Sequence, residues 1–231
     1  AVIFDLPVGG WDRRPTAEFG RAAVAAAATQ FATGSVGAGA GARAGVLKGG
    51  VGTASVRLAG AFAGVTVGAI VVVNAAGNVI DPATGLPWMA RLIETFGLTA
   101  PPAEQIAALA ELDRETGPLN TTIAVVATDA ALSPAGCRRM AVAAHDGLAR
   151  AILPCHTPID GDTVFALATG AVEVAPNPDT PAAMSPETAL VTAVGAAAAD
   201  ALAQAVLAGV LAAEPVAGIP TYRGMLPGAF A

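Results

Sequence analysis

The chain has 231 residues, 54% of them hydrophobic and 13% charged, with a net charge of −6. That length and apolar content support a folded core and exclude a disordered chain. An acidic surface with only 4% aromatic residues repels a phosphate backbone and offers no base-stacking platform, so no nucleic-acid partner is expected.

The opening, Ala1 to Leu6, is rich in Val, Ile and Phe and reads as a strand, broken by Gly9-Gly10 and Pro15. It begins without Met, in mid-pattern, as if earlier sequence were missing, and shows no basic leader. Thr16 to Phe31 reads as an Ala-rich helix capped by Thr16, with Phe19 and Val24 on its apolar face. Gly34 to Thr53 holds eight glycines together with Arg43 and Lys48. The GxxxxGK[ST] order of a phosphate loop is absent. The density instead suggests backbone brought close to a small site, with Lys48 as its useful cation.

Gly64 to Val73 is a β-rich run ending at Asn74. An amide at a strand end can cap the following turn, or donate into a site from a rigid element. Trp88 to Phe96 and Ala103 to Leu112 read as helices, and polar, Gly- and Pro-containing text then runs to Asn120 as an exposed, cleavable linker. Thr121 to Thr128 is a strand of Thr, Ile and Val. Ser133-Pro134 caps and starts a helix whose face carries Cys137, Met140, Ala141, Ala144 and Leu148. Pro154 to Asp162 is a loop, Thr163 to Thr169 a strand, and Pro176 to Pro186 a second linker. The final long helix, Thr188 to Ala213, carries Asp200 and Gln204 near its middle. A bilayer would resist that Asp, so it reads as a buried helix and no membrane partner is expected. The tail from Pro215, punctuated by Pro and Gly, is expected to wrap the surface. Strands and helices come in blocks without regular βαβ alternation, which indicates an α+β layered fold. Cys137 and Cys155 read as reduced thiols of a cytoplasmic protein.

Three constellations could carry chemistry. A threonine hydroxyl is a weak nucleophile unless its own α-amino group is free to act as base, since that amine titrates at about 7.7–8.0. Cleavage between Asn120 and Thr121 would create that pair; otherwise Thr121 is an ordinary strand start. The loop His156 to Asp162 sets Asp160 and Asp162 around a glycine. It lacks the regular oxygen spacing of a calcium loop, leaving Asx turns or carboxylates that orient an amine. His145 reads as a structural residue among alanines, and adjacent Cys155 and His156 do not form a dyad by spacing.

The segments AVIFD, VVVNAAGNVID, Asn120-Thr121-Thr122-Ile123 and HTPIDGDTVFALATG together resemble the self-processing hydrolase family of L-aminopeptidase/D-esterases, β-peptidyl aminopeptidases and nylon-oligomer (6-aminohexanoate oligomer) hydrolases. The resemblance implies an αββα layered sandwich of the kind shared with ornithine acetyltransferase. It implies a cut before the nucleophile, so that residues 1–120 and 121–231 become two subunits of one domain. Residue by residue, it assigns Thr121 as nucleophile and Asn120 as the residue before the cut. Lys48 matches the family's active-site lysine, and Asn74 its asparagine, an oxyanion donor. Asp160 and Asp162 match its acidic pair, 39 and 41 residues after Thr121. Phe4 stands where the family often has tyrosine, so one hydroxyl is missing from the substrate pocket. Also implied are a small-molecule or short-peptide substrate, no metal or organic cofactor, and a homo-oligomer of processed protomers. Acyl transfer to an amine and a non-catalytic role on the same fold are the alternatives.

Overall fold

The structure, a computed structural model, describes residues 2–112 and 119–230. In chain order the elements are α1 (Leu6–Gly9), α2 (Ala17–Ala25), β1 (Arg43–Ala44), β2 (Leu47–Lys48), β3 (Gly50–Arg57), β4 (Thr66–Asn74), β5 (Ile80–Asp81) and β6 (Leu86–Pro87). They continue with α3 (Ala90–Thr95), α4 (Ala103–Ala110), β7 (Thr121–Ala130), α5 (Pro134–Ala151), β8 (Thr163–Val172), α6 (Thr188–Leu211) and α7 (Tyr222–Met225).

One four-stranded sheet in the order β3-β4-β7-β8 organises the chain. The β3–β4 and β4–β7 pairs are antiparallel, whereas β7 and β8 run parallel. The parallel pair needs a crossover, which α5 provides. Its start is written locally: Ser133 Oγ accepts the Gly136 amide at 3.0 Å and Pro134 occupies the first turn. Helices α5 and α6 pack together on one face of the sheet. Val67, Ala69, Val71, Val73, Ala124 and Val126 point inward to meet Val194, Ala198, Ala201, Leu202, Ala205 and Val206 of α6. The helix has the length and apolar composition to cross a membrane, yet most of it is packed inside the chain.

Small residues allow close contact. A Cβ on Gly52 would stand 1.9 Å from the Ala205 carbonyl oxygen, and one on Gly147 would stand 2.2 Å from that of Ala199. The sheet's other face carries an apolar row, Val72, Ile123, Val125, Phe165 and Leu167, with Phe165 59% and Leu167 46% exposed. The α+β class therefore holds, and the described residues supply one helical layer and one β layer of the layered sandwich.

Three expectations about elements change. Residues 2–5 are not a strand, because no neighbouring strand among the described residues offers them a ladder; Pro7 instead sits in the first turn of α1. Helix α2 forms over Ala17–Ala25 and stops short of Phe31; Thr16 makes no side-chain cap, and Phe19 and Val24 are exposed because no layer of the described residues lies against that face. The tail does not merely wrap the surface. Tyr222, Leu226 and Ala229 are fully buried, and the Tyr222 hydroxyl donates to the Gly85 carbonyl at 2.9 Å. The proposed cleavable linker falls largely on residues 113–118, outside the described residues.

Candidate active site

Sheet register assembles the site at one end of the central strands. Asn74 closes β4 and Thr121 opens β7, and the two stand opposite each other in the ladder. Because β8 runs parallel to β7, the loop that enters β8 arrives at the same end. An isolated bridge pairs Asn120 with Asp160, the Asn120 amide donates to the Ile159 carbonyl at 2.9 Å, and the Gly161 amide donates back to the Asn120 carbonyl at 2.9 Å. Residues separated by 46 and 39 positions, Asn74 from Asn120 and Thr121 from Asp160, thus become neighbours.

Thr121 is 2% exposed, and its hydroxyl donates to the Asn120 carbonyl oxygen, which also accepts the Gly161 amide. The nucleophile candidate and the carbonyl of the candidate cut are therefore in direct contact. The Asn120 side-chain amide donates to the Asn74 carbonyl at 3.2 Å. Asn74 Oδ1 accepts the Arg43 amide at 2.9 Å, which fixes the side-chain orientation. Its Nδ2 is buried and has no hydrogen-bond partner among the described residues. A buried donor left without an acceptor costs about 1–3 kcal/mol, a cost that a ligand oxygen would relieve.

The two carboxylates hold backbone. Asp160 Oδ1 accepts the Ala76 amide at 3.0 Å, and its Oδ2 accepts the Thr157 amide at 3.0 Å and the Thr157 hydroxyl at 2.6 Å. Asp162 Oδ1 accepts the Thr122 amide at 2.7 Å. Asp160 therefore ties the loop to the turn after β4, and Asp162 ties it to the second residue of β7.

Lys48 is fully buried. Its Nζ donates to the carbonyls of Gly39, Ala42 and Gly49 at 2.7, 2.9 and 2.8 Å. All three ammonium protons are thus committed to the glycine-rich loop. Burial lowers its pKa to about 8, opposed by the charge of Asp5 and aided by that of Arg43. The lysine sits beside the site through β1 and β2: Lys48 pairs with Arg43, whose amide holds Asn74, and Gly50 lies opposite Val73. Phe4 stands edge-on to Trp11 with ring centroids 5.9 Å apart.

By spacing, His156 is set aside as no dyad with Cys155, and its contact with Asp162 is not foreseen. The His156 backbone is left-handed, with φ 55°, and its Nδ1 lies 2.7 Å from Asp162 Oδ2. His145 of α5 stands behind it, Nδ1 3.4 Å from His156 Nε2. Burial and the neighbouring His156 lower the His145 pKa. Cys155 Sγ is 3.9 Å from the same Asp162 oxygen, and burial pushes its thiol up to about 12. The available signal was the six-residue separation of His156 and Asp162 in one loop. It reads as chemistry only once the loop's shape is known. Ligand atoms of Cys155, His156 and Asp162 lie within 4.8 Å of one another, so a soft divalent ion has candidate donors there.

Comparison with known proteins gives the family of the chain. Residues 1–223 match peptidase family S58. An uncharacterised aminopeptidase of Mycobacterium tuberculosis is 72% identical over 234 residues, covering 100% of this chain and 67% of that protein. A 6-aminohexanoate-oligomer endohydrolase of Kocuria sp. is 33% identical, covering 90% of this chain and 59% of that protein. Among solved structures, a Burkholderia sp. β-aminopeptidase superposes with a TM-score of 0.64 at 28% identity, covering 93% of this chain and 57% of that one. The L-aminopeptidase D-Ala-esterase/amidase of Ochrobactrum anthropi, described as a variant of the Ntn hydrolase fold, gives 0.52 at 25% identity, covering 81% and 47%. The chain thus spans about two thirds of its mycobacterial relative and about half of these solved structures. It belongs to peptidase family S58 and, with it, to the hydrolases.

Proposed function

We propose that this chain is part of an amidohydrolase that matures by cutting itself between Asn120 and Thr121, and that Thr121 is then its nucleophile. One observation carries the reading. The buried Thr121 hydroxyl touches the Asn120 carbonyl, which the Gly161 amide already polarises, directly across the ladder from an Asn74 donor that has no partner among the described residues. In maturation Thr121 Oγ attacks the Asn120 carbonyl carbon, the amide shifts to an ester, and water hydrolyses that ester. The products are an Asn120 carboxylate and a Thr121 with free hydroxyl and amine.

In turnover the freed amine takes the hydroxyl proton while Oγ attacks a substrate carbonyl. Asn74 Nδ2 donates to the oxyanion that develops. The departing amine receives the proton, and water then releases the acyl group from Thr121. Asp160 and Asp162 keep the loop and the first residues of β7 in place. Buried Lys48 fixes the backbone beside Asn74 and contributes a positive field that opposes protonation of the freed amine. The names of the relatives favour short peptides or amino-acid oligomers as substrates, and hydrolysis over acyl transfer. The free Cys137 and Cys155 suit a reducing cytoplasm, and self-association of processed protomers completes the proposal.

Thr121→Ala in the full-length protein is expected to give one uncut polypeptide without hydrolase activity. Intact mass and N-terminal sequencing test it: the wild type should yield a fragment beginning at Thr121. A Thr121→Ala protein that still appears as two pieces would overturn the proposal.

A further inference from the structure

We infer that His156 is a positioning residue for the reaction: its Nδ1–H, backed by His145, fixes Asp162 and through it the start of the strand that carries Thr121. The inference rests on the proposed role of Thr121 and adds to it a relay of named atoms.

The relay runs from helix to nucleophile. His145 Nδ1 stands 3.4 Å from His156 Nε2, His156 Nδ1 stands 2.7 Å from Asp162 Oδ2, and Asp162 Oδ1 accepts the Thr122 amide at 2.7 Å. Asp162 is 5% exposed at its side chain, so its orientation is decided by these contacts and not by water. Both of its oxygens are engaged: one on the residue next to Thr121, the other on His156. The Cys155 thiol, at 3.9 Å, adds a weak third donor. Polarity is consistent along the relay. With both rings neutral, His145 Nδ1–H donates to His156 Nε2, and His156 Nδ1–H donates to the carboxylate.

Two further observations separate this from an incidental contact. His156 adopts φ 55°, a region that costs a histidine energy and suits glycine or asparagine. A contact that merely filled space would not require that backbone, whereas aiming Nδ1 at a buried carboxylate gives it a use. The geometry also favours a shared proton over a shared ion. Two ligands about 2.0–2.1 Å from one tetrahedral ion stand about 3.3 Å apart, wider than the 2.7 Å between His156 Nδ1 and Asp162 Oδ2.

The left-handed backbone supplies a clean experiment on the full-length protein. His156→Gly relieves φ while deleting the donor. His156→Asn suits the same backbone and offers an amide N–H close to the position of Nδ1. For His156→Gly we expect slower self-cleavage and, once cut, a kcat on a short-peptide anilide lower by about 10²-fold with little change in KM. Circular dichroism should show the variant folded. His156→Asn should recover most of the lost kcat. A separate readout uses the Thr121→Ala chain, cut or uncut, so it does not depend on Thr121 being the nucleophile. Nitrogen-15 spectra of the imidazoles should show His156 protonated at Nδ1. Wild-type kcat in His156→Gly, no recovery in His156→Asn, or a proton on Nε2 alone would each overturn the inference. So would stoichiometric zinc binding that wild type shows and His156→Gly loses.

Discussion

Asn74 does two things with one amide, and they can be separated. Its Oδ1 holds the Arg43 amide, and its buried Nδ2 has nothing to donate to among the described residues. Asn74→Asp keeps an acceptor for Arg43 and removes the donor. We expect kcat to fall by about 10²-fold or more, with circular dichroism unchanged; undiminished turnover would leave Asn74 as a turn cap. Lys48 makes a prediction of another kind. Its folded pKa of about 8 lies below the ordinary 10.5, so between those values the unfolded chain binds more protons and stability rises with pH. Below pH 8 the lysine is charged in both states and contributes no slope. Lys48→Met should remove the rise, seen as urea-unfolding curves whose difference from the wild type changes between pH 8 and 10; parallel pH profiles would refute it. The motifs that singled out Thr121, Asn74 and the two aspartates were legible in the sequence, and the fold brings those residues to one end of the sheet. The partners of Lys48 and the contacts of His156 were not legible, because three carbonyls and a left-handed loop residue are properties of folded backbone, not of residue types.

At the level of elements, the helices and strands that could be read are those with local signals. Ser133-Pro134 announces α5, and the Thr-Ile-Val run announces β7. Residues 2–5 have strand composition without a strand, because a β segment exists only with a neighbour to pair with, and the described residues offer none. The buried tail was illegible for the opposite reason. Tyr222 is anchored by a hydrogen bond to Gly85, 137 residues away, and no periodicity records that. Glycine spacing also conceals which positions matter. Gly52 and Gly68 both lie in strands, yet a Cβ on Gly52 meets the Ala205 carbonyl oxygen at 1.9 Å, while one on Gly68 finds its nearest neighbour at 3.8 Å. Gly52→Ala should push α6 away and destabilise by about 1–3 kcal/mol. Gly68→Ala should be tolerated and can gain about 0.5–1 kcal/mol from the entropy of the unfolded chain. Urea midpoints compared at constant m value check the pair.

For the molecule as a whole, the order of elements pointed to layers, and the described residues show a helical layer and a β layer: α5 and α6 over one sheet, with an apolar row of Val72, Ile123, Val125, Phe165 and Leu167 on the far side. What no single-residue signal could convey is the order of strands, which decides what meets at the site. That order also bears on the fate of a cut chain. Strand β7 is internal, zipped to β4 over eight residue pairs from Val67–Thr128 to Asn74–Thr121 and flanked on its other edge by β8. A break before Thr121 would therefore leave two polypeptides woven into a single sheet, with β3 and β4 from the first and β7 and β8 from the second. Neither piece could leave without tearing the central ladder and uncovering α6. The new terminus would be born already clamped, with Asn74 across from it and no freedom to drift. Such a protein would run as two bands when denatured and as one body when native, and its two halves would be inherited by every later fate of the molecule as a unit.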